Sequence, residues 1–367
     1  MSTLFFYGTL RHVPLLEIVL GRPADSLDAT RAKLPGYCVS SVAQGPFPMI
    51  APDGEHEADG LVLRGLTRSD IRRLDFYEGS FDYDLHQTAL TDGTKVQVYV
   101  PQAGRWTPDG PWSLADWVSD LGDMSMIAAG EVMSYYGTRS RDEVAEMFPV
   151  IRARASAAVR AQQSVHGTST FQGQVDVLSR DRRYSDFFAL DEFTLRHDKF
   201  DGSTSDQMHR ALFVAADAAL VLPYDPVRDR VMLVEQVRFG PLARGDHTLW
   251  QLEPIAGRVD PGETPQEAAR REALEEAGLE LDALETIAES YPSPGTSSEF
   301  YYIYLALTDL PDRSAGLGGL AEEHEDIRSH LIPFDELMER AKALDFGNAA
   351  LVAAVYYLAY HRDRLRS

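Results

Sequence analysis

The sequence predicts a two-domain chain of mixed architecture (α+β / α/β): a small, mostly β domain over residues 1–105, a helical connector over 106–165 and a mixed α/β domain over 166–367. Three observations predict this. The first hundred residues hold short runs of β-branched and aromatic residues parted by turn formers. Residues 112–163 switch to helical spacing, and β-type runs then return on either side of one strongly acidic helical stretch. At 367 residues the chain has room for two or three cores.

In the first domain, residues 4–7 read as an apolar strand that runs directly into Gly8-Thr9-Leu10-Arg11, followed by a short helix at 13–20. Further strands are expected at 32–43, 58–64, 83–90 and 95–100, with a helix at 69–76. Backbone N–H groups of a glycine turn such as Tyr7-Gly8-Thr9-Leu10 can converge on a carboxylate or carbonyl. Glu78, in Leu74-Asp75-Phe76-Tyr77-Glu78-Gly79, falls where the helix gives way to a strand. It reads either as a functional carboxylate or as a group that caps this junction.

Residues 101–111, rich in proline and glycine, form a loop. Helices are expected at 112–121, 125–136 and 140–163; Ser140 and Glu143 match a capping box, and Pro149 should break or kink the last helix. Trp112, Trp117, Met133, Tyr135 and Tyr136 read as packing residues against the first domain rather than a cofactor box.

The second domain opens with strands at 171–178 and 187–196, then apolar runs at 211–223 and 230–236 joined by the hairpin turn 224–229. Arg238, leaving a strand, suits forked contact with a phosphate. Glu253 is read two ways, as a contact to a nucleoside or as a buried, hydrogen-bonded strand residue. The 257–279 stretch, GRVDPGETPQEAARREALEEAGL, carries its own boundaries: Thr264 as N-cap, Pro265 in the first turn, Glu267 to complete a capping box, and Gly278 as the stop. Glu272, Glu275 and Glu276 stand at i, i+3 and i+4, so three carboxylates share one side of the helix. Their repulsion is relieved by a hard divalent cation, and oxygen ligands suit Mg2+ or Mn2+. The Ala256 carbonyl, at the entrance to this loop, can add a further oxygen ligand. Ala268, Ala269, Ala273 and Ala277 leave the opposite side small enough to press on a sheet. A final helix is expected at 348–362.

Composition narrows the function classes. A net charge of −22 argues against nonspecific nucleic-acid or acidic-membrane binding, so an anionic substrate needs local arginines and bound metal. The lone Cys38 excludes an internal disulfide and a cysteine-based zinc site, and its apolar neighbourhood reads as core. With no run of eighteen apolar residues and no basic leader in MSTLFFYGTLRHV, a cytoplasmic chain with no membrane partner is the expectation.

Taken together, Gly257, Glu263, Arg271-Glu272, Glu275-Glu276 and Gly278-Leu279 resemble the signature of the Nudix hydrolases, with Ala273 where a larger aliphatic residue is common. Pro294, sixteen residues beyond Gly278, together with the Asp217–Asp229, Glu235–Arg238, Ser293–Glu299 and Glu322–Pro333 runs, is similar to the ADP-ribose pyrophosphatase branch. The resemblance implies an α/β/α sandwich that hydrolyses ADP-ribose to AMP and ribose 5-phosphate. It also implies magnesium ligands at Glu272, Glu276, Glu325 and the Ala256 carbonyl, and a homodimer that shares strands. Glu323 is the first candidate for the base and Glu325 the second, with Gly316, Gly318 and Gly319 permitting their loop to close. Glu275 joins the catalytic carboxylates, with Arg271 holding it and the loop. Arg238, Glu253 and Pro294 fall to substrate binding. Another nucleoside diphosphate sugar or a dinucleotide is the competing substrate.

The YGTLR turn, the Phe47–Ile50 stretch and LDFYEG resemble the gamma-glutamylcyclotransferase-like family over residues 3–101. That resemblance implies a small mixed, barrel-like β fold. Tyr7, Gly8, Thr9 and Leu10 would hold a gamma-glutamyl group, and Glu78 would shuttle a proton during release of 5-oxoproline. The arginine that often follows such a tyrosine by two residues is absent from Tyr83-Asp84-Leu85-His86. A noncatalytic ligand-binding or regulatory module is the competing reading of this half.

Overall fold

A computed structural model describes residues 2–78, 83–164, 167, 169–320 and 325–367. The chain forms two compact units, Met1–Val159 and Arg160–Ser367.

The first unit is built from β1 (Ser2–Phe6), α1 (Val13–Leu20), β2 (Asp28–Val42), β3 (Gly45–Leu66), α2 (Arg68–Glu78), β4 (Tyr83–Ala89), β5 (Lys95–Pro101), β6 (Pro108–Pro111), α3 (Leu114–Ser134) and α4 (Arg141–Gln163). Its six strands lie in the order β4-β5-β1-β3-β2-β6, an open path with β4 and β6 at its ends rather than a closed barrel among the described residues. The two strands expected at 32–43 and 58–64 extend into one long antiparallel hairpin, β2 with β3, irregular near Pro35 and Ser41. β1 is central, antiparallel to β3 and parallel to β5, so the turn that follows it opens from the middle of the sheet.

The helices expected at 112–121 and 125–136 are a single helix, α3, capped by the Ser113 hydroxyl accepting from the Asp116 N–H. Gly122 and Met124 are buried within it, and that packing outweighs the low helix propensity of Gly122. Pro149 lies inside α4 without ending it. Trp117, Met133 and Tyr135 join Leu4, Phe6, Leu15 and Leu63 in one apolar core, with Trp112 and Tyr136 packed against it. Cys38 is only half-buried on β2.

The second unit begins with a separate three-stranded antiparallel sheet: β7 (Val175–Ser185), β8 (Ala189–His197) and β9 (Met208–Val214). There follow β10 (Ala218–Asp225), β11 (Arg230–Val237), α5 (Phe239–Arg244), β12 (Trp250–Glu253), β13 (Ile255–Arg258), α6 (Pro265–Ala277), β14 (Leu284–Ser290), β15 (Tyr301–Leu307), β16 (Leu317–Gly318), β17 (Ile327–Pro333), α7 (Phe334–Lys342) and α8 (Ala349–Leu365). These strands form a mixed sheet in which β10 runs parallel to β15 and antiparallel to β13.

Alternation along β10 shows how the sheet is filled. Ala219 and Val221 face the core under α6, whereas Leu220, Leu222 and Tyr224 face the core that holds α7 and α8. β11 and β15 divide their residues in the same way, so the sheet lies between helices on both faces. Ala268, Ala269 and Ala273 are fully buried, which lets α6 approach the sheet closely.

Candidate functional sites

In the first unit, the end of β1 delivers Tyr7-Gly8-Thr9-Leu10 into a tight turn in which the Arg11 N–H donates to the Gly8 carbonyl at 3.0 Å. This turn, the Gln44–Pro48 segment, Glu78, Tyr83, Tyr99 and residues of α3 and α4 line one cavity of about 230 Å³. Glu78 borders the cavity, and burial of the carboxyl raises its pKa to about 7. Burial also raises the phenols of Tyr7, Tyr77, Tyr83 and Tyr99, and the Glu78 charge adds to the effect at each. The Tyr83 hydroxyl donates to the Pro48 carbonyl at 3.1 Å, and Tyr99 to Asp75 Oδ1 at 2.7 Å. The neutral phenols therefore surround a carboxyl able to gain or lose a proton near neutral pH. The sequence-derived residues Tyr7, Gly8, Thr9, Leu10 and Glu78 thus meet at one cavity. Trp106, Trp117, Leu121, Met124 and Phe148 also line it, and nothing in their spacing marked them as site residues.

In the second unit, α6 is fixed by the reciprocal bonds of Thr264 and Glu267, with Gly278 in the left-handed region at its end. Arg271 ties the helix to the preceding loop. It donates to Glu263 Oε1 at 2.8 Å, to the Arg258 carbonyl at 2.9 Å, to Glu272 Oε1 at 2.7 Å and to Glu275 Oε2 at 3.0 Å. Gly257, at the end of β13, has no side chain because the Glu272 carboxylate occupies that space: a Cβ there would fall 1.8 Å from Glu272 Oε1. Glu276 is 2% exposed and accepts from the Ala256 N–H at 3.4 Å. Burial, then the charges of Glu272 and Glu325, push the Glu276 pKa up to about 8. Glu272 rises to about 7, chiefly through burial, against the opposing pull of Arg271.

Glu325 lies within electrostatic reach of both carboxylates, and its Oε2 accepts from the Leu320 N–H at 3.2 Å. Glu323 and His324 lie outside the described residues. Gly318 sits against the end of α6, where a Cβ would lie 2.0 Å from the Glu276 carbonyl oxygen, so this glycine serves close approach.

Arg238 and Glu253 are brought together. The guanidinium forks onto the carboxylate, Nη2 to Oε2 at 2.7 Å and Nε to Oε2 at 3.0 Å, across the β11–β12 pair. Burial opposes the Arg238 charge, but Glu253 keeps its pKa above the ordinary value. Pro294 lies in the exposed turn closed by the Thr296 N–H to Ser293 carbonyl bond at 3.0 Å. Glu299 and Tyr301, which sequence reasoning did not single out, lie in electrostatic reach of Arg238; burial raises Glu299 above its ordinary pKa. The signal available for Glu299 was its position closing the Ser293–Glu299 run.

Among the described residues, no three acidic, histidine or cysteine side chains form a metal cage by themselves. The donor set nevertheless fits a hard divalent cation. Glu272 and Glu276 offer carboxylate oxygens in a low-dielectric setting, the Glu272 charge adds to the cost of ionising Glu276, and the Ala256 N–H donates to Glu276.

A self-capped helix that presents clustered carboxylates beside a glycine-ended strand, on a sheet sandwiched by helices, defines a hydrolase site of the pyrophosphatase kind. The chain belongs to the Nudix hydrolases and is a Nudix pyrophosphatase: residues 214–355 match the NUDIX domain, and residues 4–117 match the family described as gamma-glutamyl cyclotransferase, AIG2-like. The ADP-ribose pyrophosphatase of Escherichia coli (strain K12) is 37% identical over 196 residues, 53% of this chain and 93% of that protein. The ADP-ribose pyrophosphatase of Haemophilus influenzae is 36% identical over 197 residues, 53% of this chain and 90% of that protein. The GDP-mannose pyrophosphatase of Cronobacter sakazakii is 29% identical over 170 residues, 45% of this chain and 87% of that protein. No described helix is long and apolar enough to cross a membrane.

Proposed function

We propose that the second unit hydrolyses the pyrophosphate bond of ADP-ribose, giving AMP and ribose 5-phosphate, with Mg2+ held by Glu272, Glu276, Glu325 and the Ala256 carbonyl. The observation that carries this reading is the carboxylate pair on a self-capped helix, Glu276 buried and Glu272 largely so. Relatives at 36–37% identity are named ADP-ribose pyrophosphatases, against 29% for a GDP-mannose pyrophosphatase, which favours the first substrate. When bound, divalent ions neutralise phosphate charge and lower the pKa of a ligated water. Arg271 holds Glu272, Glu275 and the loop in register, and Arg238, anchored by Glu253, offers its remaining N–H groups to a phosphate oxygen. Glu323 or Glu325 takes the proton of the attacking water.

The test is a magnesium-dependent hydrolysis panel of ADP-ribose, ADP-glucose, GDP-mannose, NADH and diadenosine polyphosphates, run on the wild type and on Glu276→Gln. Preferential cleavage of ADP-ribose, lost in the variant, supports the reading; preference for another member discards the substrate. The exposed apolar residues Val175, Val177, Tyr184 and Phe187 on the three-stranded sheet and its first turn favour a homodimer, which sedimentation velocity tests.

A second activity is favoured by the cavity where the Tyr7–Leu10 turn meets Glu78. There the first unit acts as a gamma-glutamyl cyclotransferase. The α-amine of a gamma-glutamyl amide attacks its own side-chain carbonyl, the lactam C–N bond forms and the amide C–N bond breaks. Glu78 passes the proton from the attacking to the departing amine. Release of 5-oxoproline that disappears in Glu78→Gln tests it; ligand binding without release would make the unit a binding module.

A further inference from the structure

We infer that Arg152 of α4 and the Trp106 indole N–H hold the carboxylate of a small ligand in the first unit's cavity. Both residues line that cavity, together with Ser125 of α3. The family match covers residues 4–117, so the cation comes from a helix beyond it. The inference concerns binding, and it applies whether the unit turns its ligand over or only holds it.

Other polar side chains of the lining are engaged within the protein. The Tyr83 hydroxyl donates to the Pro48 carbonyl, that of Tyr99 to Asp75 Oδ1, and the Trp117 indole N–H to the Pro46 carbonyl at 3.0 Å. Gln44 is closed on Thr107, donating to its hydroxyl at 2.9 Å and accepting from its N–H at 3.0 Å. Trp106 differs. Its Nε1 is buried and has no partner among the described residues, while Phe47 packs edge-on at 4.8 Å and the Arg105 guanidinium lies 4.5 Å from the ring centroid. The indole is thus held in place with its donor unmet, and a buried donor without an acceptor is costly. An indole nitrogen can only donate, and a guanidinium carries five N–H groups, enough to serve a protein acceptor and a ligand together. The acceptor that meets a guanidinium as a fork, with one charge to balance one charge, is a carboxylate. Walls of Trp117, Met124 and Phe148 keep the effective dielectric low around that pair. Glu78 does not cancel the cation below about pH 7, because burial keeps that carboxyl chiefly protonated there. With −22 on the chain, an anion is drawn in only by such a local positive charge.

Isothermal titration calorimetry of the full-length protein at about pH 6, below the Glu78 pKa of about 7, tests this. It compares 5-oxoproline with 5-oxoprolinamide, and phenylacetate with phenylacetamide, so that each pair differs chiefly in the carboxylate. In at least one pair the carboxylate is expected to bind about tenfold or more tighter than its amide. Arg152→Met should abolish that preference and Arg152→Lys should restore part of it. Trp106→Phe, which keeps a ring and removes the N–H, should narrow it, with circular dichroism checking the fold of each variant. Equal affinity within both pairs, no binding by any of the four compounds, or a preference that survives Arg152→Met overturns the inference. Release of 5-oxoproline from gamma-glutamyl amides is scored separately, so failure of the cyclotransferase reading and failure of carboxylate binding are told apart.

Discussion

Replacing Glu78 by Gln removes a titration while keeping a neutral side chain of the same size, so the protein should become more stable at alkaline pH and no different at acid pH. Carrying the carboxyl from its ordinary 4.5 to about 7 corresponds to about 3 kcal/mol at roughly 1.4 kcal/mol per pH unit. The solvent access that Glu78 keeps at the cavity reduces this to about 1–2 kcal/mol. Because the folded pKa lies above the unfolded one, the fold favours the protonated form. Wild-type stability is then lost progressively as pH rises from about 4.5 to about 7, and the full penalty persists above that. Glu78→Gln carries no such penalty at any pH.

The assay is urea denaturation followed by tryptophan fluorescence between pH 5 and pH 8. Trp106, Trp112 and Trp117 lie in the first unit and Trp250 in the second, so the signal is weighted toward the unit that holds Glu78. A difference between variant and wild type that does not change with pH, or a variant less stable at pH 8, would refute the reasoning.

Cyclotransferase turnover by the wild type should rise with pH through about 7 as Glu78 ionises to accept the amine proton, which a kcat profile on one gamma-glutamyl amide would show. Gly257→Ala places a Cβ 1.8 Å from Glu272 Oε1; displacement of that carboxylate should lower ADP-ribose hydrolysis by about a hundredfold or more, with the circular dichroism of the helices unchanged. Thr264→Ala breaks the capping box of α6 and should cost about 1 kcal/mol, read as a lower Tm. Arg238→Ala strands Glu253, 5% exposed, without its guanidinium; a loss of about 2 kcal/mol is expected, less than for a fully buried pair because Arg238 is half exposed. Arg238→Lys should recover only part of it, since an ammonium cannot reproduce the fork.

What the sequence made legible was what repeats within one element. The Thr264–Glu267 box, the Gly278 stop and the carboxylates at Glu272, Glu275 and Glu276 are local, and so are the motifs that carry the two family resemblances. The apolar run read over 211–223 divides between β9 and β10, which belong to separate sheets, and which residues of β10 face α6 and which face α8 required the sheet to be assembled. α3 runs unbroken through Gly122 and Ser125, both of low helix propensity, because Met124, Ala128 and Val132 pack into the core, which no local spacing displays. Pro149 in α4 is the same conflict, again decided by tertiary burial of Met147 and Ile151.

The properties that matter chemically are those that sequence spacing cannot carry, because they are sums over several elements. Glu272 and Glu276 share a helix, but their raised pKa values depend on burial against the sheet and on Glu325, nearly fifty residues further along. Arg238 and Glu253 were each assigned to substrate from their own surroundings, yet the register of β11 with β12 spends much of each side chain's hydrogen-bonding capacity on the other. A phosphate contact by Arg238 therefore has to use the part of the guanidinium that Glu253 leaves over. The cavity at Glu78 follows the same logic. The turn and the carboxyl are motif residues, but part of the cavity wall comes from α3 and α4, whose sequences read only as helices packing against a core. The motif places the Glu78 carboxyl, but the burial that brings its pKa to about 7 is supplied by the packed unit around it.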